Sequence, residues 1–321
     1  MSIRRAQKRP AARPAVKTRS QARTADTLDI NGRQVPVSNL NKVFYPSVGF
    51  TKAQVIDYFI RVSAVLLPHL KNRPLTLKRY PNGVSGGFFY EKRCPPYRPD
   101  WVKTAPVWSE RNEGEIHYCL ANDLPSIVWA ANLGDLELHT FLAKAEDVER
   151  PTMMVFDLDP GAPADIISCA QVGLWLKEKL EALKLQSFPK TSGSKGLQIY
   201  VPLNTPVTYD QTKALSHQLA EELESEHSKE VISKMGKSLR TGKVFVDWSQ
   251  NDRHKTTVCA YSLRAKERPT VSTPVDWDQV KSALKKKESA RLSFISDEVL
   301  KRVEKYGDLF EPVLKLKQKL A

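Results

Sequence analysis

The chain has 321 residues, 41% of them apolar, with 50 Lys and Arg against 36 Asp and Glu for a formal charge of +14. That length suits one large domain or two small ones and is enough to bury a core without covalent staples. No apolar run approaches the ~18 residues of a membrane span, and the first residues lack the apolar stretch of a secretory signal, so neither an integral membrane protein nor a signal-led secreted one is expected.

Residues 1–25 hold eight basic side chains (Arg4, Arg5, Lys8, Arg9, Arg13, Lys17, Arg19 and Arg23) and no acid. Nearly devoid of large apolar residues, they cannot bury enough surface to offset chain entropy, which predicts a disordered basic tail ahead of a folded domain over 26–321. Such a tail either attracts phosphates without regard to sequence or serves as a solubilising leader. The remaining residues still carry +6. An anionic partner follows from this balance, nucleic acid first.

Order is predicted from about Leu28. The run Asn39, Leu40, Asn41, Lys42 leads to Tyr45 and Pro46, and Lys52 opens the first helix, where a cation opposes the helix dipole. A lysine there suggests phosphate capture, though any exposed site tolerates lysine. Thr51 and Gln54 form a capping box, and Val55, Tyr58, Phe59 and Val62 recur at helical spacing, predicting a helix over 52–67. Gly-rich residues 83–87 run into Phe88, Phe89, Tyr90, Glu91 and Lys92; aromatics beside lysines suit base stacking, or else end a core strand. Helices are predicted after Asp165 (Ile167, Ala170, Leu174) and after Asp210 (Leu215, Leu219, Leu223). Runs at 152–158, 198–203, 244–248 and 257–263, rich in β-branched and aromatic residues, read as strands. From Lys285 onward the charged chain is predicted to be helical and packed on the outside. Interspersed strands and helices make the fold class α+β or mixed α/β. Cys94, Cys119, Cys169 and Cys259 are scattered without a C-x-x-C pair, so reduced, buried thiols are expected. A zinc site on His117 and Cys119 is conceivable, with two ordinary strand residues the expected reading.

The most informative segment is Met153-Met154-Val155-Phe156-Asp157-Leu158-Asp159-Pro160. Alternation puts Asp157 and Asp159 on one face of a strand that Pro160 and Gly161 end at once. Paired carboxylates repel unless something positive lies between them, and Mg²⁺ or Mn²⁺ is the usual answer. Asp247 sits in a second buried-strand pattern, Val244 to Ser249, where an unpartnered carboxylate is costly. It is either a third ligand of a two-metal site or one half of a salt bridge to Arg253 or Lys255. Lys190 to Gly196 is rich in Gly, Ser and Lys, as an anion-binding turn is, but it is no Walker A loop and could be a plain turn. Arg264 and Lys266, two apart at the end of the 257–263 strand, share a face and could clamp a triphosphate; otherwise they form a basic strand edge.

Together these pieces resemble a known family, the polymerase module of bacterial DNA ligase D in the archaeo-eukaryotic primase superfamily. The likeness rests on SNLNKVFY at 38–45, GFTK at 49–52, RPLTLKRYP at 73–81, FYEK at 89–92, ANLG at 131–134 and ELH at 137–139. It continues through FDLDP at 156–160, TSGSKGLQIYVPL at 191–203, VFVDWSQNDRHK at 244–255 and YSLRAK at 261–266. The resemblance implies a primase-like catalytic core over 26–321, with mainly antiparallel or mixed central sheets flanked by helices. It implies that Asp157, Asp159 and Asp247 hold two divalent ions, commonly Mn²⁺, and that His139 is required for activity. Ser192, Lys195, Gln198, Arg264 and Lys266 would contact an incoming NTP or dNTP, with ribonucleotides preferred. Asn39, Lys42 and Lys52 would grip the 5′-phosphate of a gap or double-strand break, and Phe89 and Tyr90 would stack on the template. Ku and a separate DNA ligase are the implied partners, with DNA-mediated pairing of two molecules across a break and a cytoplasmic, nucleoid-associated location. No K-x-D-G adenylation motif is present, so a stand-alone polymerase is expected, with a non-catalytic end-binding and bridging module as the alternative. Two departures stand out. Gln198 occupies the family's histidine position, and Lys266 replaces the second arginine of an R-x-R pair, keeping charge but losing bidentate geometry.

Overall fold

The computed structural model describes residues 26–320, so the tail predicted over 1–25 lies outside the described residues. Among the described residues seven α-helices form: α1 (Lys52–Leu70), α2 (Leu124–Asn132), α3 (Ile166–Ala182), α4 (Tyr209–Glu226), α5 (Trp277–Lys286), α6 (Ser296–Tyr306) and α7 (Glu311–Lys315). Two sheets organise them. In the first, six-stranded sheet, Thr257–Val258, Asp135–Thr140, Leu75–Arg79, Gly114–Cys119 and Thr104–Ser109 lie side by side, with Phe89–Glu91 paired to Leu75–Arg79. The second sheet runs Phe188–Thr191, Leu197–Pro202, Met153–Pro160, Val244–Asp247 and Val231–Ile232, antiparallel except for its last pair. No helix among the described residues is long and apolar enough to cross a membrane.

The Met153–Pro160 strand shows how the sequence builds a cleft. Met154, Phe156 and Leu158 alternate onto one face and pack with Cys169, Leu176, Leu219 and Leu223 of α3 and α4. Met153 and Val155 point the other way, into a core shared with Leu75 and Leu138 of the first sheet. Asp157 and Asp159 continue that second face past the point where apolar packing ends. Period-two alternation therefore delivers both carboxylates to the mouth of the space between the sheets.

Several boundaries differ from the sequence reading for local reasons. The Thr51–Gln54 capping box starts α1 as expected, but the helix continues through Pro68 to Leu70, because the Lys71 N–H still closes on Leu67 O at 2.9 Å. Asp165 caps α3, whereas α4 starts at Tyr209 because Thr208, not Asp210, is its cap. The strand expected over 257–263 stops at Val258; Tyr261 has φ +65°, a left-handed turn that no strand accommodates. The C-terminal segment is helical in part but not external, since Val299, Leu300, Phe310 and Val313 are buried in the first core. The thiol expectation is also corrected: Cys94 and Cys119 form a disulfide, while Cys169 and Cys259 are free and buried. The pair is 25 residues apart in sequence but brought together where Cys94 N–H bonds to His117 O at 2.7 Å beside the Gly114–Cys119 strand. That bond consumes the Cys119 sulfur.

Candidate active site

Sheet register sets the centre of the site. Gln198 stands directly opposite Asp157 on one neighbouring strand, Asp247 directly opposite Asp157 on the other, and Lys190 opposite Gln198 one strand further out. Opposed residues of an antiparallel pair point to the same face, so Lys190, Gln198, Asp157 and Asp247 form one transverse row across four strands. Burial and the nearby Asp247 and Asp159 carboxylates push the Asp157 carboxyl up to about 6, against the opposing pull of the neighbouring Gln198 amide and of Lys190. Asp247 Oδ1 accepts from the Ser249 N–H (3.0 Å) and Oγ (2.6 Å), and its Oδ2 accepts from Gln250 Nε2 at 2.9 Å. Neither Arg253 nor Lys255 pairs with Asp247; Arg253 is engaged by Glu110 and Glu149. Asp159, the most exposed of the three acids, is drawn to Arg240 at 3.1 Å.

Among the described residues no group of three or more His, Cys, Asp or Glu is gathered tightly enough to hold a metal ion. The donors nevertheless suit a hard divalent cation. Asp157 and Asp247 face each other and offer only oxygen, their mutual repulsion adds to burial in lifting Asp157, and Asp159 is on the same strand face, held aside by one arginine contact.

A cavity of about 500 Å³ opens over the middle of this row, lined by Asp157, Asp159, Ser192, Lys195, Gln198, His139, Tyr90, Gln250 and Arg264 among others, while Asp247 and Lys190 lie outside its lining. Its floor on one side is the 192–196 turn. Ser192 Oγ accepts from the N–H groups of Ser194 (3.2 Å) and Gly196 (3.1 Å), closing the turn on itself. Gly196 lies so close to the Met153–Pro160 strand that a Cβ would sit 2.1 Å from Leu158 O, and Gly193, at φ +67°, is pressed against Val271. Only glycine lets the turn approach the carboxylates this closely. Arg264 reaches the same turn through Ser192 O. Lys266 does not share a strand face with Arg264: its N–H closes on Arg264 O at 3.0 Å in a tight turn, and it is not among the cavity-lining residues. Burial and the charges of Arg264, Lys78 and Lys195 lower the pKa of Lys266, which places it near the turn without lining the cavity.

Opposite lies a buried carboxylate the sequence reading left without a role. Glu137, 1% exposed, accepts from His139 Nε2 (3.1 Å), Lys78 Nζ (3.2 Å), Tyr80 Oη (3.3 Å) and the Ala265 N–H (3.1 Å), with Arg264 Nε at 3.3 Å. Burial alone would raise its pKa, but the His139 hydrogen bond and the Arg264 and Lys78 charges hold it well below the carboxylate range. Burial lowers the pKa of His139, so the imidazole is neutral and donates Nε2–H to Glu137. The pattern Asp135-Leu136-Glu137-Leu138-His139 looks like a half-solvated strand; here Asp135 and Glu137 are buried and only His139 lines the cleft.

The aromatic run splits between faces. Tyr90 meets His139 edge-on at 6.0 Å and lines the cavity, and Phe88 joins it at 5.9 Å, whereas Phe89, its strand neighbour, turns away over Arg79. Consecutive strand residues cannot share a face. Further along, Lys42 and Lys52 converge at the N-terminus of α1. Lys52 Nζ donates to Ser38 O at 2.7 Å, Lys42 Nζ to Pro81 O (2.7 Å) and Asn82 Oδ1 (2.8 Å), and Asn39, at φ +53°, shapes the turn beside them. Burial and Lys42 pull Lys52 down to about 8. Asn39 and Lys42 also line a separate surface hollow of about 500 Å³.

Comparison with known proteins identifies this arrangement. Residues 51–310 match the family model described as LigD, primase-polymerase domain. The chain belongs to the LigD primase-polymerase domain family. It is 39% identical over 282 residues to the multifunctional non-homologous end joining protein LigD of Mycolicibacterium smegmatis, a match covering 87% of this chain and 36% of that protein. A bifunctional LigD of Bacillus subtilis is 32% identical over 271 residues, covering 84% of this chain and 42% of its own length. The chain therefore spans well under half the length of these relatives. Among solved structures it superposes on the polymerase domain of Mycobacterium tuberculosis ligase D in complex with DNA, with a TM-score of 0.81 and 37% identity, covering 87% of this chain and 98% of that one. The mainly antiparallel α+β architecture expected from the sequence is that of this neighbour.

Proposed function

We propose that this chain is a template-dependent nucleotidyltransferase that binds gapped or broken DNA through a 5′-phosphate and adds one or a few nucleotides, preferably ribonucleotides, in double-strand break joining or gap filling. The carrying observation is the opposed pair Asp157 and Asp247 beside the 192–196 turn, in a chain of the LigD primase-polymerase family. Asp157, Asp247 and, on release from Arg240, Asp159 are the residues that would hold divalent metal. Bound there, Mn²⁺ or Mg²⁺ would supply the positive charge that favours ionisation of a primer hydroxyl and offsets that of a triphosphate. The protein's own groups do the rest. Lys195, Arg264 and Gln198 meet the triphosphate, with Lys266 adding charge nearby, and Ser192 keeps the turn closed so that Lys195 is held at the cavity wall. Glu137 holds Arg264 and His139 at fixed angles to the cleft. Asn39, Lys42 and Lys52 take the downstream 5′-phosphate and set register, which favours short extensions. Tyr90, with Phe88 against it, offers stacking surface for exposed bases at the cleft, and Phe89 does so on the opposite strand face. A purely end-binding module has no use for carboxylates forced together at the bottom of a cleft, which favours catalysis. Ku and a separate ligase remain the proposed partners, given that the relatives carry end-joining names. The test is incorporation of labelled NTPs and dNTPs on a gapped template with Mn²⁺, with and without the downstream phosphate. Extension stimulated by the phosphate is expected; absence of any incorporation would overturn the reading.

A further inference from the structure

The outermost member of the transverse row is a lysine with no exposed surface. Lys190 Nζ donates to Gln198 Oε1 and to Ser272 Oγ (2.6 Å), and lies 5.3 Å from the Tyr200 ring centre. Among the described residues no carboxylate comes within ion-pair distance of it. A buried ammonium without an anionic partner is expensive and persists only where its protons are all directed. Ser272 is already committed, since its own hydroxyl donates to Thr191 O at 3.0 Å and leaves only a lone pair for Lys190.

Donor and acceptor counting then decides the orientation of Gln198. Lys190 Nζ donates to Gln198 Oε1, so it is the amide oxygen that turns toward the lysine, and burial, which pulls the ammonium down to about 7, makes that acceptor the more valuable to its charged form. Nε2 then faces the other way, toward the cavity that Gln198 lines and toward Asp157, its partner in the strand register. We propose that Lys190 is a positioning residue that locks the Gln198 amide with both N–H groups facing Asp157 and the incoming nucleotide. Gln198 thereby becomes a fixed neutral donor for one carboxylate oxygen and one oxygen of an anionic, triphosphate-bearing substrate. An amide whose oxygen accepts from a cation is also a stronger donor on its nitrogen. This deepens the nucleotidyltransferase reading and rests on it.

The test is a double-mutant cycle of Lys190→Met and Gln198→Leu, read as the Kd of a non-hydrolysable NTP analogue without template or primer, alongside KM and kcat for incorporation. Each single substitution is expected to weaken analogue binding about tenfold, with the double variant within about threefold of Gln198→Leu alone. Losses that multiply would mean that Lys190 serves the fold rather than the amide, and would overturn the proposal. Thermal melts accompany each variant. Gln198→Glu tests the same point with Lys190 intact, because its carboxylate pairs with the ammonium and turns a bare acceptor toward the nucleotide. Binding weaker than that of Gln198→Leu supports the proposal, and binding as tight or tighter overturns it. Failure of the unsubstituted protein to bind the analogue at all would sink the functional reading and this inference with it, a result distinct from either outcome of the cycle.

Discussion

Glu137 offers the sharpest physical test of how the cleft is held together. It is 1% exposed and faces two permanent cations, Lys78 at 3.2 Å and Arg264 at 3.3 Å, besides the His139 N–H. Glu137→Gln keeps the shape but removes the charge, leaving both largely buried cations without their counter-ion. Breaking a buried pair in this way costs about 3–5 kcal/mol. For a domain of this size the unfolding entropy turns that into a fall in Tm of about 5–8 °C at pH 7. The pH dependence follows from the direction of the shift. The carboxyl lies below its unfolded value, so its contribution is fully present above the usual glutamate range near ~4.3 and is lost as pH falls toward its folded pKa. Melting curves of wild type and Glu137→Gln should thus lie furthest apart at pH 6–7, with the gap starting to close only below about pH 4. A gap that is absent at neutral pH, or unchanged between pH 7 and 3.5, would refute the placement of Glu137 as the anchor of Lys78, His139 and Arg264.

Further outcomes can be checked on the same material. Lys42→Ala should erase the advantage of a phosphorylated over an unphosphorylated downstream strand in gapped-DNA binding; a preserved advantage would put the phosphate pocket elsewhere. Because burial and Lys42 hold Lys52 at about 8, the free protein loses that charge as pH rises through 8, so the preference for 5′-phosphate should decline between pH 7 and 9. Lys52→Arg should flatten that decline. Cys119→Ser opens a loop closed across 25 residues, which should cost about 2–4 kcal/mol in a non-reducing melt and nothing further on adding dithiothreitol.

Much of the cleft was legible in the sequence because it is encoded by alternation. The D-x-D spacing fixes Asp157 and Asp159 on one strand face whatever the tertiary context, and the buried run around Asp247 marks that acid as unusual. Pairing is a different matter. That Asp247 faces Asp157 while Gln198 and Lys190 complete the row depends on the register of three strands drawn from distant parts of the chain, which no local pattern specifies. Lys190 carried a readable signal, a lysine inside the strand Phe188–Thr191, but a lone lysine reads equally well as a solvated edge. Glu137 was hidden for the opposite reason: its strand alternates as an exposed one does, and only a second sheet and the 264–266 turn folding over it bury its polar face. The disulfide escaped because spacing in sequence says nothing of proximity in space, and the misplaced strand end at 259–263 turned on the backbone at Tyr261, a residue type that gives no warning of a left-handed turn.

The central claim is that carboxylates opposed across two strands carry nucleotidyl transfer. It is tested most directly by single-nucleotide incorporation on a 5′-phosphorylated gap in Mn²⁺, comparing wild type with Asp157→Ala and Asp247→Ala, and measuring gapped-DNA binding in parallel. Both variants should lose extension while binding the gapped duplex nearly as well as wild type. Extension at wild-type level by either one would contradict the assignment.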